Sequence, residues 1–107
     1  MYYETIKTET IDGFDITFSV APEDMAPDWD FETDADRDEV LRKIDNGTLL
    51  WFVAKVTASK NGIELASDYL GGCCYESTDE FIADAYYFDM VQNVISEARE
   101  AIVKLAA

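Results

Sequence analysis

The sequence predicts an α+β fold of order ββαββα: a four-stranded, mostly antiparallel sheet with a short helix and a long C-terminal helix. Three observations predict it. Asp12-Gly13 and Asn61-Gly62 each stand between β-rich runs, where such dipeptides make hairpin turns. Phe14, Ile16, Phe18 and Val20 alternate with Asp15, Thr17 and Ser19, the period-two pattern of a strand with one buried face. From Phe88 the spacing changes to threes and fours through Val91, Ile95, Ala98, Ile102 and Leu105, one face of a helix. A length of 107 residues suits one domain, residues 1–107.

The elements follow in order. Residues 2–10 are rich in β-formers and return through Asp12-Gly13 into a second strand that Pro22 ends. Pro22 and Pro27 prevent an early helix, whereas Thr33 or Asp34 can cap a short one with Val40, Leu41 and Ile44 as its apolar side and Asn46-Gly47 as its stop. Residues 49–58, LLWFVAKVTA, are nearly apolar on both faces, which places that strand centrally. The strand from Ile63 to Leu70 meets Gly71-Gly72, the signature of a bulge or sharp bend. Ser77 with Glu80 has capping-box spacing and opens a helix over residues 78–106. Ile82, Ala85, Val94 and Ala101 widen its stripe. Such a helix, roughly 43 Å long at about 1.5 Å per residue, outruns the sheet, so its far end is expected to overhang, kink or pack on a second copy. Of Tyr86, Tyr87 and Phe88 only some can face the core, since neighbours point about 100° apart.

The apolar fraction of 49% supports a real core, but the charge is unusual: 23 acids against 8 bases, net −15. A chain so acidic repels nucleic acid and anionic membranes, so neither is an expected direct partner. The expected partner is a basic surface. No apolar run is long enough to span a membrane, and MYYETIKTET lacks the layout of a signal peptide, so the expected compartment is the cytoplasm. No cofactor is expected and no enzyme: there is no histidine for the usual acid–base or triad arrangements, and Gly71-Gly72 leads to CCYE without a phosphate-loop lysine. The adjacent Cys73 and Cys74 close no loop and read as two buried thiols near a strand end.

The charge is patterned. Residues 23–39 hold nine acids and one base, net −8, whereas residues 40–60 are net +3. Asp28, Asp30, Glu32, Asp34, Asp36 and Asp38 occupy every second position. In extended chain such side chains lie roughly 6.6 Å apart on one side, a spacing that suits a groove built for phosphates; a helix starting near Thr33 would break the row. Arginine forks accept carboxylate and phosphate alike. The candidate contact set is therefore Asp28, Asp30, Glu32, Asp34, Asp36, Asp38 and Glu39, with Trp29 and Phe31 as aromatic anchors and acids of the terminal helix completing the surface. The same stretch, DWDFETDADRDE, approaches the ligand spacing of a calcium loop at Asp28, Asp30, Glu32, Asp34, Asp36 and Glu39. It departs from that loop at Thr33, where the turn takes glycine, at Ala35, and at Pro27, which blocks the incoming helix.

In size, acidity and style the chain resembles inhibitors of host defence encoded by phages and mobile elements, the DNA-mimic anti-restriction proteins and acidic anti-CRISPR proteins. The stretch IELASDYLGGCCYESTDEFIADAYYFDMVQNVISEA is similar in letters to small phage proteins and brings no activity with it. The resemblance implies a stoichiometric inhibitor that competes with nucleic acid for the basic groove of a DNA-binding defence complex or nuclease. The alternative is an interaction module, such as a homodimer through the terminal helix, whose acidity serves solubility.

Overall fold

Four strands form one sheet in sequence order, each antiparallel to its neighbour: β1 (Glu4–Ile11), β2 (Phe14–Pro22), β3 (Leu50–Lys60) and β4 (Ile63–Tyr75). The computed structural model describes residues 2–27 and 31–106. Both expected hairpin turns form, with φ of 53° and 85° at Asp12 and Gly13 and of 54° and 78° at Asn61 and Gly62. Two successive positive φ values match the twist of the flanking strands.

The period-two pattern of β2 buries Phe14, Ile16 and Phe18 on one face, opposite Ala58, Val56 and neighbouring residues of β3. β3 is central as expected, yet only Phe52, Ala54, Val56 and Ala58 are buried. Its other face stays open, and there the Lys55 ammonium lies 5.3 Å and 5.6 Å from the ring centres of Tyr3 and Tyr69. β4 continues through the glycine pair to Tyr75. Phe52 pairs with Cys73 and Ala54 with Leu70, so β4 spends one extra residue there, a bulge. Gly72 has φ of 66°, and a Cβ at this position would meet the Trp51 ring at 3.4 Å.

The helix expected over residues 78–106 is instead two helices, α2 (Thr78–Ile82) and α3 (Ala85–Ala106). The reason is rotational. Phe81 and Tyr87 are six residues apart, so one straight helix would turn them about 120° away from each other. Both must reach the core, where Phe81 stacks 5.4 Å from Phe18 and meets Phe52, Tyr75 and Tyr87 edge-on. The break at Ala83 and Asp84 allows this. Asp84 stabilises it: one carboxylate oxygen accepts from the Ala85 amide at 2.6 Å and the other from the Tyr75 hydroxyl at 2.7 Å. A second correction follows: Tyr87 is the buried aromatic of the triplet, while Phe88 is 62% exposed and Tyr86 also faces outward. Tyr87, Met90, Val91, Val94, Ile95 and Ala98 close the core over β3 and β4.

The molecule is elongated, 57 × 25 × 22 Å, with a radius of gyration of 16.3 Å against roughly 13 Å for a compact chain of this length. The two hairpin turns mark one end of the sheet. The other end, at Pro22 and Leu50, carries the connection through the acidic segment.

Candidate acidic interface

The acidic segment is rooted at the bulge of β4. The Glu23 amide donates to the Trp51 carbonyl at 3.2 Å, and Glu23 Oε2 accepts from the Gly72 amide at 2.8 Å. The Trp51 indole N–H donates to the Met25 carbonyl at 2.7 Å. Glu23 is thus a structural latch. Its partner is 49 residues away, so nothing in the local sequence distinguishes it from the acids that follow.

Asp28, Trp29 and Asp30, three members of the candidate set, lie outside the described residues. Glu32 is exposed and Phe31 is half-buried. Helix α1 (Asp34–Asp45) begins where the sequence places it: Thr33 is in extended backbone, and its hydroxyl accepts from the Asp36 amide at 3.1 Å. Asp34 and Asp36 in the first turn and Arg42 and Lys43 in the last both suit the helix dipole. Gly47, with φ of 81°, ends it.

No residue of α1 is buried, and only Val40, Leu41, Lys43 and Ile44 are half-buried. The helix is an arm at the end of the sheet opposite the hairpin turns. Its acids do not form one row. At about 100° per residue, Asp34 and Asp38 share one ridge and Asp36 and Glu39 share another, on either side of the Val40, Leu41 and Ile44 stripe. Within the first ridge the Cβ atoms are roughly 5–6 Å apart, close to the spacing of an extended row. The charges are weakly compensated: Arg37 lies 3.6 Å from Asp34 and 3.9 Å from Asp38, and Lys43 lies 3.5 Å from Glu39, all in exposed pairs.

Helical geometry also bears on the calcium reading. Asp34 and Asp36 point about 160° apart once helical, so they cannot converge on one ion as loop positions seven and nine do. Arg99 reaches Asp12 at 3.3 Å, which places Glu97 and Glu100 of α3 at the hairpin end, far from α1, whereas the exposed Asp79 and Glu80 of α2 follow Thr78, which lies beside Leu50 toward the arm's end.

A groove of about 650 Å³ opens beside the root of the segment, walled by Ile6, Val20, Leu50, Trp51 and Phe52, with Glu4 at its edge. The two thiols point to opposite sides of β4. Cys73 is buried and donates to the Leu70 carbonyl at 3.3 Å, and burial pushes its pKa up to about 11. Cys74 is half-buried on the open face beside Trp51, and burial raises its pKa too. Neither is set up as a nucleophile at neutral pH. No helix is long and apolar enough to cross a membrane among the described residues.

Compared with protein-family models, curated proteins and solved structures, the chain finds no match.

Proposed function

We propose that the protein is an acidic, non-enzymatic inhibitor. In this reading the arm formed by residues 23–39 and helix α1 enters the basic groove of a DNA-binding defence complex or nuclease, in place of nucleic acid. One observation carries the reading: Asp34, Asp36, Asp38 and Glu39 stand on a helix with no buried residue, so the densest charge in the chain contributes little to the core. Self-repulsion of net −15 destabilises a fold, and charge held on an outlying arm is well placed to offset that cost by binding. Two ridges of carboxylates on one helix present anions in more than one direction, as a duplex backbone does. Arginine forks and lysine ammonium groups would be the complementary groups.

The reading is tested by capture from a bacterial host lysate on immobilised protein, eluted with rising salt. Nucleic-acid-binding proteins should elute late from wild type and early from the variant Asp34→Asn, Asp36→Asn, Asp38→Asn, Glu39→Gln. Equal retention of the same proteins on both columns would contradict it.

A further inference from the structure

The sheet has two edges, and they differ. β1 carries the Lys7–Glu9 ion pair at 3.4 Å and a bulge at Ile6, features that shield an edge from further pairing. β4 has no strand on its outer side. Between its two irregularities it pairs regularly with β3 from Ala66 to Leu70, so alternate backbone groups of that run are directed away from the sheet. The charge beside this edge has one sign: residues 61–98 hold eight acids and no lysine or arginine. The Asn93 side-chain amide donates to Asp68 at 3.4 Å, which places the Asn93 ridge of α3 over β4. At 3.6 residues per turn, Tyr86, Asp89, Glu97 and Glu100 share that ridge, and all four are exposed. None of Asp68, Asp89, Glu97 and Glu100 has an ion-pair partner among the described residues. Further along the edge, a groove of about 320 Å³ opens between Tyr86 and residues 70–75.

We propose that the β4 edge binds an extended basic segment of another protein by strand addition. Backbone and charge select this partner together. The unpaired backbone groups take an extended chain, whose own amides and carbonyls continue the ladder. In such a strand alternate side chains stand roughly 6.6 Å apart on one side. Those on the helix side meet Asp68 and the α3 ridge, where a step of four residues sets Asp89, Asn93 and Glu97 roughly 6 Å apart. Lysine or arginine at every second position therefore finds a carboxylate or amide oxygen at each step. Side chains on the other side meet Tyr69, which is 54% exposed. This surface is separate from α1, so it neither requires nor replaces the reading of the acidic arm.

The test uses the whole chain and a short peptide alternating arginine and valine. On titration, the backbone amide resonances of residues 66–70 should shift. Two further peptides carry N-methyl groups, one on its arginine nitrogens and the other on its valine nitrogens, with charge unchanged. Only one edge of an added strand faces β4, so one of the two should bind about tenfold more weakly than the other. The variant Asp89→Asn, Glu97→Gln, Glu100→Gln should also bind the parent peptide about tenfold more weakly, with its melting transition unmoved because all three residues are exposed. The fourfold variant of α1 should bind it within about twofold of wild type at physiological salt, where distant charges are screened. Equal affinity of the two methylated peptides would mean ion pairing without strand addition and would overturn the proposal. So would resonance shifts confined to α1, unchanged binding by the α3 variant, an equal loss in the α1 variant, or no binding at millimolar peptide.

Discussion

At the residue scale, Phe81 is the keystone of the fold. It has no exposed surface and meets four other aromatic rings. Phe81→Ala should cost about 3–5 kcal/mol in chemical denaturation, with the midpoint shifting and the slope unchanged. Tyr87 gives a pH signature. Burial first, then the Glu9 carboxylate and the hydrogen bond Tyr87 gives it at 3.2 Å, raise its pKa from 10.0 to about 12. The unfolded tyrosine, with the lower pKa, ionises first as pH rises, and that ionisation draws the equilibrium toward the unfolded state. Stability from this group is therefore full below pH 10 and is lost as pH rises from 10 through about 12. Tyr87→Phe should flatten part of that alkaline loss in melts followed across the range. Tyr75, raised by burial and by Asp84, should contribute in the same direction. The sequence reading started the buried stripe at Phe88, and the structure buries Tyr87 instead. The choice depends on the break at Asp84, and the hydroxyl that holds Asp84 belongs to Tyr75 on another element.

At the element scale, strands and turns were legible because their signals are local: alternation in β2, positive-φ dipeptides in both hairpins, and glycines at the β4 bulge. The capping of α1 by Thr33 was legible for the same reason. The split of the last helix was not, because the phase error lies between Phe81 and Tyr87, and the sequence does not mark those two aromatics as the ones the core takes. The role of Glu23 was not either, because it depends on a strand far along the chain. Two predictions belong here. Gly72→Ala places a side chain in positive-φ backbone against Trp51, and should cost about 1–3 kcal/mol while loosening the root of the acidic arm. The fourfold neutralisation of Asp34, Asp36, Asp38 and Glu39 changes exposed residues only, and should alter unfolding free energy by less than about 0.5 kcal/mol. A large loss of stability in that variant would mean that α1 is part of the folded body and not an arm.

At the scale of the whole molecule, the chain is polar in both senses. An acidic arm stands at one end of a 57 Å body, and the exposed apolar residues Ile102, Val103 and Leu105 of α3 stand toward the other. The charge partition in the sequence located the arm, though not the direction in which its carboxylates point, because helix formation from Asp34 replaces one straight row with two ridges. The central claim is that this arm binds a basic partner. Its most direct test is the affinity for a captured partner measured against salt, for wild type and for the fourfold-neutralised variant. The account predicts that wild-type affinity falls steeply with salt, that the variant binds roughly a hundredfold more weakly at low salt, and that its salt slope is shallower. Equal affinities with equal slopes for the two proteins would contradict it.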